Sequence, residues 1–288
     1  MRVLVLGRSG QLAQALLAKQ PSGIEAVAWG RAELDLVDTG CIAAAICDFA
    51  PDAIINASAY TAVDRAETEA DLAQALNVDA VAQMAEAARS LAVPFVHVST
   101  DFVFGGDQPI AYTPEDSCAP LGVYGRTKRE GEKVLLQTYP AAAIVRTAWV
   151  YRAGSANFMS TMLRLMAERD ELGVVTDQIG TPTSADNLAE VLWRVVNRKL
   201  SGIWHYTDAG VASWYDFACA IYCEAIQAGV LAVQVAVKPI ATADYPTPAK
   251  RPEFSVLDSR SLRAAIDWPA IHWQSALSEQ IAKLKETP

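Results

Sequence analysis

The chain has 288 residues, 52% hydrophobic and 20% charged, with a net charge of −9 at neutral pH. That length and apolar content allow a large core, in one large domain or two smaller ones, and exclude a disordered chain. The acidic balance argues against a general binder of nucleic acid or anionic membranes, and no apolar run approaches a membrane span. The first apolar run is cut short by Gly7 and Arg8, unlike a signal peptide. Cys41, Cys47, Cys118, Cys219 and Cys223 are odd in number and scattered, which reads as reduced thiols in a cytoplasm. Cys219 and Cys223, one helical turn apart, are expected to be buried apolar side chains. His97, His205 and His272 show no metal spacing, and His97, inside a strand pattern, reads as a core or sheet histidine.

Arg2 to Leu6 predicts a buried strand that Gly7 ends at once. Gly7-Arg8-Ser9-Gly10-Gln11-Leu12-Ala13 then opens a helical pattern through Lys19. A strand, a glycine turn and a helix form a phosphate cradle: Gly7 permits the tight turn and Gly10 lets backbone amides approach a pyrophosphate. Its spacing, G-x-x-G-x-x-A, also suits a plain strand-to-helix turn.

Ile24 to Trp29 predicts a second strand and Thr39 to Phe49 a helix. Asp52 to Asn56 predicts a third strand, running into Ala57-Ser58-Ala59, and Thr68 to Ala92 a long helical region. Pro94 to Ser99 and Ala142 to Arg146 predict the fourth and fifth strands, and residues 105–120 a loop over the site. This alternation predicts an α/β fold, a Rossmann-type doubly wound parallel sheet. Residues 1–150 are expected to form the nucleotide-binding domain, with elements returning to it from about 174–200. Residues 151–288, richer in Trp, Pro and Tyr, are expected to form mainly a smaller substrate-binding lobe.

Ligands in such sheets lie at the carboxyl ends of the strands, where Gly7–Leu12, Ala57–Ala59 and Thr100-Asp101 converge. Tyr124 and Lys128 are spaced i, i+4, on one helix face. A lysine ammonium reaching the phenol would favour phenolate and lower its pKa toward working pH. With the Thr100 hydroxyl on the same substrate oxygen, the trio can polarise a carbonyl for hydride addition.

The segments PDAIINASAYTAVDRAE, VHVSTDFVF, PLGVYGRTKREGE, IVRTAWVY, NFMSTMLRLM, DQIGTPTSADNLA and YPTPAKRPEFS follow the opening GRSGQLA. With them the chain resembles, nearly end to end, the dTDP-4-dehydrorhamnose reductase family of extended short-chain dehydrogenases/reductases. The resemblance implies reduction of the 4-keto group of dTDP-4-dehydro-L-rhamnose by a nicotinamide cofactor, the last step toward activated rhamnose for bacterial surface polysaccharides. It implies that Tyr124 donates the proton, that Lys128 binds the nicotinamide ribose and tunes the tyrosine, and that Thr100 orients the ketone. Asp101 and Trp149 would contact the sugar. Gly10, Gln11 and Leu12 would hold the pyrophosphate, Asp35 and Leu36 flank the adenine, and Ala57, Ser58 and Ala59 line the dinucleotide path. Arg251 would meet substrate phosphate or serve the structure, and Trp149 could equally be a core aromatic.

The second strand ends in Ala28-Trp29-Gly30-Arg31, with no carboxylate for a ribose 2′-hydroxyl, and Arg31 can receive a 2′-phosphate. NADPH is therefore the expected cofactor, with NADH also usable. Some relatives are magnesium-linked dimers using glutamates. One of those glutamates is Ala15 here, so no metal is expected, while a homodimer stays open. A sister dehydratase would carry Asp-Glu after the threonine, whereas Asp101 is followed by Phe102, which does no acid–base work. A reductase or epimerase of another nucleotide-linked 4-keto sugar and a noncatalytic nucleotide-binding subunit are the remaining alternatives, and the intact Thr100, Tyr124 and Lys128 weigh against the last.

Overall fold

The computed structural model describes residues 1–286. Five strands from the N-terminal half build the central sheet: β1 (Arg2–Leu6), β2 (Glu25–Trp29), β3 (Ala53–Asn56), β4 (Phe95–Thr100) and β5 (Ala143–Thr147). Helices α1 (Gln11–Ala18), α2 (Thr39–Phe49), α3 (Val63–Ala66), α4 (Ala70–Gln74), α5 (Ala80–Leu91) and α6 (Val123–Thr138) fall between them. The later elements are β6 (Val150–Tyr151), α7 (Phe158–Glu168), β7 (Glu171–Val175), β8 (Ile179–Gly180), β9 (Thr183–Ser184), α8 (Ala185–Asn197) and β10 (Gly202–His205). They end with β11 (Ala212–Ser213), α9 (Trp214–Gln227), β12 (Ala236–Ile240), α10 (Arg260–Ile266) and α11 (Trp273–Glu286).

The sheet order is β10-β5-β4-β3-β1-β2, with all neighbouring pairs parallel. Its strands are apolar on both faces because helices cover both. Val3, Val5, Ile55, Val96 and Val145 pack with α1, α8 and α10 in one cluster. Leu4, Leu6, Ile54, Phe95 and Ile144 pack with α2, α5 and α6 in the other. Winding reverses between β1 and β3, so the crevice of this sheet opens above Leu6 and Asn56.

The chain returns to this sheet later than residues 174–200 alone would suggest. Beyond α8, β10 pairs with β5, and Leu262 and Ile266 of α10 join the first cluster. The remaining C-terminal elements surround a separate core containing Met159, Met162, Phe217, Ile221, Trp273 and Leu277, drawn from α7, α9 and α11. No helix of the described residues is long and apolar enough to cross a membrane.

The expected helical stretch Thr68 to Ala92 runs unbroken from Ala70 to Leu91, with a π-turn, Ala75–Asp79, between α4 and α5. Its cause is Asn77, whose side chain accepts from Tyr60 N (2.9 Å) and donates to Tyr60 O (3.2 Å) and Thr127 Oγ1 (3.0 Å). Two expectations need correction. The loop 105–120 does not line the main cavity. Instead Tyr112 bridges Leu257 and stacks on Phe104, holding the loop against the segment near residues 252–258. Finally, Cys219 is half-buried and Cys223 exposed, since both lie off the face that α9 buries through Phe217, Ala218 and Ile221. All five cysteines are free thiols.

Candidate active site

A cavity of about 1150 Å³ opens at the carboxyl edge of the sheet. All sixteen residues singled out above line it: Gly7, Gly10, Gln11, Leu12, Arg31, Asp35, Leu36, Ala57, Ser58, Ala59, Thr100, Asp101, Tyr124, Lys128, Trp149 and Arg251. Trp214 of α9 and the Gly154–Ala156 turn close it from the C-terminal lobe.

The first glycine turn is built for close approach. Gly7 has φ +103°, and a β-carbon there would lie 3.0 Å from the Ala57 carbonyl and Ser58 nitrogen. Gly10 N–H closes the turn on Gly7 O (2.8 Å). Gly10 caps α1 in extended geometry, and no side chain caps the helix. Its first amides therefore face the cavity with the positive end of the helix dipole, a fit for a pyrophosphate. At the far end Arg31 is 77% exposed, its Nε 4.0 Å from Asp35, while Arg8 pairs with Glu33. Those two guanidiniums suit a further phosphate at the adenosine end. The Gln11 side chain is committed elsewhere: it donates to Val150 O (2.9 Å) and accepts from Asn157 (3.1 Å), tying α1 to the second lobe.

Tyr124 and Lys128 occupy the first turns of α6, whose start is fixed by Glu67 accepting from Val123 N (2.8 Å). Burial pushes the Tyr124 phenol up to about 12, opposed by a hydrogen bond from Thr100 and aided by the charge of Asp101. The expectation of a lysine-lowered tyrosine therefore fails here. The cause is geometric: Lys128 Nζ donates to Val98 O (2.8 Å) and sits 3.2 Å from His97 Nε2. Burial brings Lys128 down to about 8, against the pull of Glu132. A tyrosine of high pKa keeps its proton at neutral pH and can deliver it as an acid.

Thr100 closes β4; its hydroxyl donates to Asp101 Oδ1 (3.0 Å) and accepts from Phe102 N (3.2 Å). Asp101 is buried and burial raises its pKa to about 6, opposed by Ser255, Thr100 and backbone hydrogen bonds. Its Oδ2 has no partner among the described residues, nor does the hydroxyl of cavity-lining Thr147. Two buried, unsatisfied polar atoms at one cavity wall mark a place for a polar ligand. The Phe102 ring meets Tyr124 edge-on at 5.6 Å.

Trp149 is neither simply core nor simply a sugar platform. It has φ +48°, a costly conformation for a tryptophan, and stacks on Trp214 with centroids 3.5 Å apart. Gly180 leaves room for its ring, since a β-carbon there would come 2.7 Å from it. Arg251 is committed to structure. It makes a two-point ion pair with Asp64 (3.1 and 2.8 Å) and bonds Thr247, so one guanidinium clasps the TAVDRAE segment to YPTPAKRPEFS. The Arg251 hydrogen bond holds Asp64 below its usual carboxylate range.

Sequence reasoning missed the layer behind the site. Glu132, one turn after Lys128, is fully buried and receives Ser99 Oγ (2.6 Å), Arg146 (2.8 and 2.7 Å) and Arg129 (2.7 Å). Burial works to raise Glu132, but those partners, Arg146 foremost, outweigh it and hold the carboxyl below its usual range. His97 is a buried sheet histidine, as expected, but its approach to Lys128 (3.2 Å) was not foreseen. Strand alternation carries the missing signal, because Phe95, His97 and Ser99 share the face of β4 that meets α6. No cluster of three or more His, Cys, Asp or Glu among the described residues could hold a metal ion.

The comparisons with known proteins agree along the whole chain. Residues 1–286 match the RmlD substrate binding domain family. The chain is 42% identical to the dTDP-4-dehydrorhamnose reductase of Aggregatibacter actinomycetemcomitans, with 96% of this chain and 97% of that one covered. It superimposes on the crystal structure of a Clostridium acetobutylicum dTDP-4-dehydrorhamnose reductase with a TM-score of 0.93 at 36% identity, covering 99% and 100% of the two chains. The Bacillus anthracis dTDP-4-dehydrorhamnose reductase in complex with NADP gives a TM-score of 0.92 at 32% identity, covering 98% and 99%. An uncapped helix N-terminus, a Thr-Tyr-Lys trio and one shared cavity thus accompany likeness over the full length, and the chain belongs to the dTDP-4-dehydrorhamnose reductase family.

Proposed function

We propose that this protein reduces the 4-keto group of dTDP-4-dehydro-L-rhamnose to dTDP-L-rhamnose with NADPH. The observation that carries the reading is the convergence of Thr100, Tyr124 and Lys128 with the uncapped start of α1 in one cavity. The NADP in the Bacillus anthracis relative supports the choice of cofactor. So does Arg31, exposed at the adenosine end with no carboxylate at the tip of β2.

Bound NADPH supplies the hydride to the sugar C4. The α1 amides at Gly10, Gln11 and Leu12 hold the pyrophosphate, Ala57, Ser58 and Ala59 line its path, and Asp35 and Leu36 flank the adenine. The Thr100 hydroxyl, turning its one hydrogen from Asp101 Oδ1, donates to the ketone oxygen, and Tyr124, protonated at neutral pH, delivers the proton to that oxygen as negative charge develops. Asp101 takes a sugar hydroxyl through its unpartnered Oδ2. Lys128 has a donor to give the nicotinamide ribose. Trp149, held against Trp214, presents an indole edge to the sugar. Arg251 shapes the site through Asp64 rather than by gripping phosphate.

The reading is tested by following NADPH oxidation with dTDP-4-dehydrorhamnose beside other dTDP- and UDP-linked 4-keto sugars. The expected result is a kcat/KM for the dTDP-rhamnose precursor at least about tenfold above the others, one correctly filled pocket contact. Turnover of none of them would overturn the reading; faster turnover of another sugar would reassign the substrate.

A further inference from the structure

The tip of β2 carries no carboxylate of its own, yet the fold returns one to it. Gly7 N and Arg8 N both donate to Trp29 O (3.0 Å each), which pins Arg8 beside the end of that strand. The chain then turns at once: Glu33 N and Leu34 N donate to Gly30 O (3.1 and 3.0 Å). The turn folds Glu33 back, so that its Oε2 accepts from Gly30 N (2.8 Å) and its Oε1 pairs with the Arg8 guanidinium. Gly30 lines the cavity, and a β-carbon there would lie 3.4 Å from Arg8 Cβ and 3.6 Å from Glu33 Oε2. The Arg8–Glu33 pair therefore borders the cavity wall at its adenosine end. The Gly30 N–H, joined by Arg8 and opposed by burial, holds the Glu33 carboxyl below its usual range, so it is charged at neutral pH. Arg31, 77% exposed, has its Nε 4.0 Å from Asp35 in the same turn. Two cations and two carboxylates thus meet where a dinucleotide places its ribose 2′-substituent.

We propose that Glu33 is the residue that sets the choice between NADPH and NADH, a role that rests on the cavity holding a nicotinamide cofactor. A ribose 2′-hydroxyl donates, and a carboxylate is the acceptor such folds use for it. A 2′-phosphate accepts, and calls for guanidinium. Glu33 serves the first and opposes the second in two ways. Its charge repels the phosphate, and it occupies the Arg8 guanidinium that the phosphate needs. The charges of Arg8, Arg31, Glu33 and Asp35 cancel, so this end of the cavity holds no surplus positive charge for a dianion. The consequence is a protein that takes both cofactors and favours NADPH far less than two guanidiniums alone would make it. Arg31, with its nearest carboxylate 4.0 Å away, is the freer of the two cations.

The test is cofactor affinity, measured by fluorescence titration of the full-length protein with NADPH and with NADH, no sugar present. Glu33→Gln keeps an oxygen for Gly30 N and removes the charge. NADPH should bind about tenfold more tightly and NADH no more tightly than before, so the ratio of Kd values moves about tenfold or more toward NADPH. Arg8→Met keeps the apolar stem and removes the cation. It should weaken NADPH about tenfold and leave NADH within about twofold, a result that stands even if the Glu33 variant fails to fold. A turn merely disturbed would weaken both cofactors alike, so equal changes or an unmoved ratio overturn the proposal. Binding of neither cofactor by the wild type overturns it together with the cofactor reading. The expected shift in ratio beside an absence of sugar turnover would fault the substrate reading alone.

Discussion

Tyr124 holds the proton on which the proposed reduction depends, and burial and the charge of Asp101, outweighing Thr100, keep it there. Burial sets its pKa near 12, and no hydrogen bond joins it to Lys128 among the described residues. Tyr124→Phe removes that proton while sparing the ring that packs on Phe102. Turnover should fall by about two orders of magnitude or more, while NADPH binding followed by fluorescence titration stays close to wild type. Near-normal turnover would take Tyr124 out of the mechanism. At this scale the trio was legible because its function imposes spacing: Tyr124 and Lys128 must share a helix face, and Thr100 must end a strand. Arg251, His97 and Glu132 were not legible in the same way. Their roles come from partners 187, 31 and 14 residues away in the chain, a distance at which spacing says nothing.

Among the elements, α6 carries the most. It presents Tyr124, Lys128 and Glu132 on one buried stripe, yet it contains Gly125 and Gly131, which weaken a helix. Both glycines exist for contact. A methyl at Gly125 would run into the Phe102 carbonyl, and one at Gly131 into the Asn77 carbonyl of the π-turn. Helix propensity alone predicts that Gly131→Ala gains up to about 1 kcal/mol. Packing predicts the opposite, because backbone opposes the new methyl and cannot swing aside. Destabilisation of about 2 kcal/mol or more is expected, read as a lower denaturation midpoint at unchanged slope. A stabilised variant would show that α6 does not lie against the π-turn. The predicted strand and helix edges fell within two residues of those observed, as apolar runs ending at Gly or Pro allow. The π-turn escaped because an alanine-rich stretch reads as helix throughout, and only Asn77, bonded across to Tyr60 and Thr127, shows why it opens.

At the scale of the molecule, buried ionisable groups of both kinds surround the sheet edge, and their opposed shifts set how the fold responds to acid. His205 is lowered from 6.5 to about 4 by burial and then by Arg146, and His97 is lowered well below 6.5 by burial and then by Lys128. Between pH 6.5 and 4 the unfolded chain takes up protons on these rings that the folded protein refuses, so acid costs stability. Asp101 and Asp208 behave oppositely. Burial raises both from 3.8 to about 6, so the folded protein takes up protons in that window while unfolded carboxyls do not, and acid adds stability. His205, Asp101 and Asp208 each amount to roughly 3 kcal/mol at full extent. With two groups on each side, the melting temperature should stay nearly level from about pH 6.5 to 4. Below that range it should fall steeply, as the carboxyls of Glu132, Asp186 and Asp64, all lowered in the fold, are forced to protonate. Asp208→Asn removes one compensating group outside the cavity. Whatever fixed cost it carries from the bonds to Ser184, Asn187 and Tyr206, its melting temperature should drop further below wild type as pH falls from 6 to 4. Melting curves that stay parallel across that range would show that Asp208 takes up no extra proton in the folded protein.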